Sequence, residues 1–260
     1  MSQDQSNDEP RPETFPVYRI AIRVRPDKAC DTAVVGLKST GLDIHFDDDH
    51  NLFFDLERRL LRVSRQNVQW RRGLSHRTLE LQKRPRQQGG GFHRQSLDTA
   101  DADALIDANN CRTRTVREAF RSGQFSVEKE ANDGQLQLEE IGQAIERAAA
   151  FDAAKANEDM TQFRAVYGHV PILPPDQYTS LVLMATEGCR FNTCTFCGFY
   201  RDSRYREKTL DEFQTHIREA IRYHGRGLAQ RRGTFPRPAN APTAPQPSRA
   251  PTPTPAHAAL

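Results

Sequence analysis

The sequence predicts an α/β chain in three successive parts: an antiparallel β-unit, a helical stretch, and a βα unit of the parallel type. Three observations carry this. "VYRIAIRVR" (17–25) alternates apolar and basic residues with period two, the mark of a half-buried strand. "LQLEEIGQAIERAAA" places Leu138, Ile141, Ile145 and Ala149 on one helical stripe. "YTSLVLMAT" (178–186) is a short apolar run bounded by turn residues, as in a strand buried on both faces.

Residues 1–14 are polar and are expected to be disordered. The β-rich unit is placed at 15–83. It holds a second strand at "DIHFD" (43–47), a turn at 48–51 in which His50 is solvated, and short strands across 59–82. Trp70 packs on this sheet. Residues 84–97 ("RPRQQGGGFHRQSL") read as a linker. The helical region is placed at 98–176, with helices over 98–120 and 136–156, and "PILPP" ends it. The parallel unit spans 177–230. Thr209 and Glu212 open its helix with the capping-box pattern, followed by a stripe of Leu210, Phe213, Ile217 and Ile221. Residues 231–260 are expected to be a disordered tail, because eight of the sixteen prolines fall between Pro236 and Pro255.

Net charge is +3, but it is segregated. Ten Lys/Arg face three Asp/Glu between Leu52 and Arg86, and seven face fourteen between Asp98 and Asp159. The basic segment suits a polyanion or the acidic helical region of the same chain; packing against the helices is the expectation, and nucleic acid is not an expected partner. The N-terminus lacks a basic segment followed by an apolar run, and no apolar stretch reaches membrane-spanning length. Five cysteines, with Cys30 and Cys111 far from the rest, do not form a secreted disulfide framework. A reducing cytoplasmic setting without membrane contact follows.

The remaining three cysteines lie in "TEGCRFNTCTFCGFYRD" (186–202): Cys189, Cys194 and Cys197, spaced Cys-x4-Cys-x2-Cys, between the apolar strand and the capped helix. Loops at the C-terminal ends of parallel strands carry the chemistry of α/β folds. Three thiolates in nine residues can share one metal centre. An iron–sulfur cubane held by three cysteines keeps one iron open, and an open position marks reactivity. A Cys3His zinc site would borrow His216 or His224, at spacings unlike those of zinc fingers. Packing as small apolar groups is the third reading, set against a loop rich in Arg, Asn and Thr.

The loop resembles the cluster-binding segment of the radical S-adenosylmethionine (radical SAM) enzymes, in which an aromatic residue precedes the third cysteine, here Phe196. Four residues separate the first two cysteines, where the commonest pattern has three. "ATEGCRFNTCTFCGFYRDSRYREKTLDEF" is similar to a branch whose members have mostly undefined substrates, over about fifty residues of close likeness. "RRGL" (71–74) resembles, less specifically, material preceding the barrel there.

The resemblance implies a (β/α) barrel of which 177–230 is the first unit. It implies a [4Fe–4S] cluster on Cys189, Cys194 and Cys197, with S-adenosyl-L-methionine on the fourth iron and Phe196 near its adenine. Reductive cleavage would then give a 5′-deoxyadenosyl radical that abstracts hydrogen from a small-molecule or macromolecular substrate, with electrons from a flavodoxin or ferredoxin. Tyr200, Arg201, Arg204 and Arg206 follow the motif and could meet cofactor or substrate, or form an exposed basic loop. "RGTFPRPANAPTAPQP" departs from the second-strand segment of that branch, with Pro236, Arg237, Pro238 and Pro242 where Leu, Gly, Asp and Leu are expected. A truncated barrel, with catalysis compromised, is therefore expected. The alternatives are a non-enzymatic zinc module with a basic nucleic-acid-binding surface and an inactive gene fragment.

Overall fold

A computed structural model describes residues 19–25, 32–85, 87, 89–130, 134–168, 170, 173, 175–193, 195, 198, 200 and 203–236. Among them, nine strands form one antiparallel sheet. β1 (Ile20–Val24), β2 (Ala33–Lys38), β3 (Gly41–Phe46), β4 (His50–Phe54), β5 (Leu60–Arg65), β6 (Val68–Arg72), β7 (Thr78–Lys83) and β8 (Phe92–Ser96) follow one another as a meander. After α1 (Thr99–Arg121), β9 (Phe125–Glu130) returns to pair with the other edge of β1. Then come α2 (Gly134–Ala149) and α3 (Ala153–Tyr167).

The register puts the alternating apolar residues on one face. Ile22 lies opposite Val35, Val35 opposite Ile44, Ile44 opposite Leu52, and Leu52 opposite Val63. Ile106 and Val116 of α1, and Ile141 and Ile145 of α2, cover that row to make the main core. Trp70 packs at its margin, as the sequence predicts, and its indole N–H donates to Glu80 at 2.9 Å.

Several boundaries differ from the sequence reading. The sheet outruns 15–83: β8 occupies the expected linker and β9 interrupts the helical region. Both are largely exposed strands with polar sequences, held mainly by pairing along sheet edges, although Phe125 at the start of β9 packs on the main core. The expected helix over 136–156 is two helices. Asn110 donates its amide to the carbonyls of Ala149 and Phe151 at 2.8 and 3.1 Å, ending α2, and the Asp152 side chain caps α3 by accepting from Lys155 N–H. His50 does not sit in a solvated turn. It begins β4, is buried, and bonds Asn109 and Arg112 of α1 at 2.7 and 3.1 Å, while Asp48 takes both ends of the same guanidinium.

The second part of the fold is small. β10 (Leu181–Leu183) leads through β11 (Thr186–Glu187) and β12 (Arg206–Glu207) to α4 (Leu210–His224), and β13 (Thr234–Pro236) pairs parallel with β10. A βαβ unit is thus present, and its second strand takes three residues from the stretch expected to be tail; residues 237–260 lie outside the described residues. Pro236 is tolerated because it closes the strand, where no further ladder donor is needed. The fold is mixed α/β with a large antiparallel sheet and, among the described residues, no closed barrel. No helix among them is long and apolar enough to cross a membrane.

A buried carboxylate lies where the two parts meet. Asp159 of α3 accepts from Arg59 at 3.3 Å, from Arg72 at 3.1 Å and from the Tyr223 hydroxyl of α4 at 3.0 Å. Arg59 also pairs with Asp55 at 2.8 Å, whereas the one other hydrogen bond of Arg72 among the described residues is to the Leu60 carbonyl. Burial lowers the Arg72 pKa against the pull of Asp159. Asp159→Ala therefore strands the Arg72 charge in the interior. We expect a loss of about 3–5 kcal/mol in urea unfolding, largely recovered in Asp159→Leu/Arg72→Met, where the charge is gone as well.

Candidate functional site

The cysteine loop hangs from the C-terminal end of β10. At its neck, Thr186 lies opposite Glu207 and Glu187 opposite Arg206, so residues 188–205 form a loop closed by two antiparallel pairs. Lys208 N–H donates to the Ala185 carbonyl at 3.0 Å. The Glu187 carboxylate accepts from Lys208 Nζ at 2.8 Å and from Arg206 at 3.0 Å. The Lys208 bond, helped by Arg206, holds the Glu187 carboxyl below its ordinary range against the opposing effect of burial. Arg206 turns its other nitrogen to Glu212, the residue that completes the capping box with Thr209. One guanidinium thereby ties the loop neck to the start of α4.

Gly188 supplies the remaining constraint. Its φ is +66°, and a Cβ there would lie 2.7 Å from the Arg204 carbonyl oxygen. Only glycine permits both the left-handed backbone and that approach. Cys189 follows directly, half-buried, and neither it nor the exposed Cys111 is in a disulfide. Cys194, Cys197 and Phe196 lie outside the described residues, as do Cys30 and Arg201. Among the described residues no three His, Cys, Asp or Glu side chains converge as a metal-binding group.

Beside the neck is a cleft of about 670 Å³ lined by Met184, Glu187, Gly188, Tyr200, Arg204 and Arg206, with the first turns of α4 behind them. Tyr200, Arg204 and Arg206 of the sequence reading are thus brought together. Glu187 and Lys208 are functional candidates that the reading missed. Their pairing joins residues on opposite sides of the loop, and the only local signal was the Glu-Gly-Cys run itself.

The imidazoles considered as zinc ligands have other work. His216 is buried; Met184 N–H donates to its Nε2 at 2.9 Å and its second ring nitrogen donates to the backbone of Val166. For His224, Arg231 can only donate to Nδ1, at 3.3 Å, so Nε2 carries the hydrogen and bonds the Tyr167 hydroxyl at 2.9 Å. The buried face of α4 is consequently Phe213, His216, Ala220 and His224. Leu210 and Ile221, placed on the inner stripe by the sequence reading, are 59% and 43% exposed. Satisfied on both nitrogens, the histidines serve as core residues. Burial, reinforced by nearby cations, pushes both down to about 4.

Compared with protein-family models, with curated proteins and with solved structures, the chain shows no match.

Two outcomes follow. His216 and His224 titrate near 6.5 when unfolded and near 4 when folded, so the unfolded chain takes up protons first. Their contribution is complete above about pH 6.5 and is lost as pH falls toward 4; urea midpoints at pH 7.5, 5.5 and 4.5 should fall in that order, and His224→Gln should flatten the decline. Gly188→Ala should loosen the neck, seen as severalfold faster tryptic cleavage at Arg190 or Arg204 with helical content unchanged.

Proposed function

We propose that this chain is a radical SAM family protein in which Cys189, Cys194 and Cys197 hold three irons of a [4Fe–4S] cluster and S-adenosyl-L-methionine meets the fourth. The observation that carries the reading is the position of the loop. It leaves the C-terminal end of a parallel strand, is pinched at Glu187–Arg206, and re-enters the fold at the capped N-terminus of α4. The donor set fits a thiophilic metal, and Cys189 is held at the neck by a glycine that no other residue replaces. The engaged nitrogens of His216 and His224 count against either one as the fourth ligand of a zinc site, which supports the cluster reading.

When bound, the two groups would supply one-electron cleavage of a sulfonium and hydrogen abstraction; the protein's share is positioning and shielding. Glu187 and Lys208 fix the loop ends. Tyr200, Arg204 and Arg206 line the cleft where an amino-acid or adenosyl moiety would lie. Phe196 is assigned to the adenine. In this reading β10 and α4 are the first βα unit of the (β/α) barrel.

Anoxic reconstitution with iron and sulfide, with zinc measured in parallel, tests it. We expect about four irons per chain and a brown chromophore that is abolished by Cys194→Ala and untouched by Cys111→Ala. Formation of 5′-deoxyadenosine would establish activity. Stoichiometric zinc with no iron uptake would overturn the assignment.

A further inference from the structure

The large sheet has a second face, and over β5 to β8 its charge is one-sided, whereas Glu128 pairs with Arg23 near its other end. The register of β5 to β8 puts Arg62 and Ser64, Gln69 and Arg71, Leu79, Leu81 and Lys83, and Phe92, Arg94 and Ser96 on the side away from α1 and α2. Arg62, Arg71, Lys83 and Arg94 are exposed, and none of those strand positions carries a carboxylate. Glu80, the one acidic residue in these four strands, points to the opposite face with Trp70. Farther along the same face Asp43 is buried and paired with Lys38.

Arg62 and Arg71 are directly opposite one another across β5 and β6. Like charges in that position destabilise a sheet, and among the described residues neither meets an acid that would offset it. Arg71 bonds only Gln69, and Arg62 lies over the Phe53 ring at 5.1 Å. At the other margin Phe92, directly opposite Lys83, is 57% exposed. Asp159 of the helical region does pair with Arg59 and Arg72, as the sequence led us to expect, but the helices pack on the other face and leave this row to itself.

We infer that this face binds single-stranded nucleic acid. Four cations that pair with no acid among the described residues supply the backbone contacts, and the exposed ring of Phe92, with the guanidinium-capped Phe53, supplies planar groups on which bases stack. An acidic polypeptide would use the cations but has no need of the aromatic margin. Nothing in the inference depends on the cluster.

The test is fluorescence anisotropy of the full chain with a labelled twelve-nucleotide oligouridylate and the matching oligodeoxythymidylate, and with polyglutamate of equal charge. Four phosphate contacts predict a slope of log affinity on log salt of about −3. Arg62→Gln/Arg71→Gln should weaken binding about tenfold and halve that slope. Arg94→Gln provides a milder variant should the double one fold poorly, and Phe92→Ala should cost about fivefold or more. Arg222→Gln/Arg232→Gln, with the same change in net charge elsewhere, should stay within twofold. Absence of salt-dependent binding, equal losses in the control variant, or tighter binding of polyglutamate would each overturn the inference.

Discussion

Everything that positions the cysteine loop depends on a carboxylate more than twenty residues before it. Asp159 draws two arginines of the sheet and a tyrosine of α4 to one point on α3. An unpaired charge at that depth costs several kcal/mol, so the three elements either meet there with good geometry or do not meet stably at all. Arg59 lies over the Tyr223 ring at 4.9 Å and Arg72 over the Phe151 ring at 5.0 Å, which closes the polar cluster on its apolar sides. Two further contacts fix the rotation of the small unit against the sheet: Arg226 N–H donates to Glu57 at 2.7 Å, and the Gln230 amide to the Thr40 carbonyl at 2.9 Å.

What the sequence disclosed and what it withheld divide along a physical line. Features encoded by neighbours in the chain were legible. Period-two alternation located β1, the capping box located the start of α4, and three cysteines in nine residues marked the loop. Features made by distant pairing were not. β8 and β9 have no buried face to impose a pattern, and they exist because edge strands offered them partners. The clusters around Asp159 and Glu187 join residues separated by 100 and 21 positions, at which no local spacing rule operates.

α4 shows how a correct helix can be read with the wrong face. The apolar stripe of Leu210, Phe213, Ile217 and Ile221 has the right period, but two of its members are left largely in solvent while two histidines go inside. A neutral imidazole with both nitrogens bonded buries a ring at little polar cost, and the neighbouring rings of Tyr167 and Tyr223 pack against it. Hydropathy scores such a histidine as polar, so periodicity alone rotates the helix.

Those histidines also explain how a two-stranded parallel sheet can present a loop reliably. Parallel strands ordinarily rely on wide sheets covered on both faces. Here β10 is fixed instead by side chains: His216 takes the Met184 N–H at the strand's end and donates to Val166 on α3, while His224 holds Tyr167 one residue farther on. The path from the large sheet to the first cysteine is therefore continuous. Asp159 fixes α3, the last turn of α3 fixes α4 through the two imidazoles, and α4 fixes both the end of β10 and, through Glu212 and Arg206, the neck that holds Cys189. Each link is a buried or charge-assisted hydrogen bond with a donor and an acceptor already committed. A metal at the loop would thus draw on a scaffold whose linking side chains are held in place before it arrives.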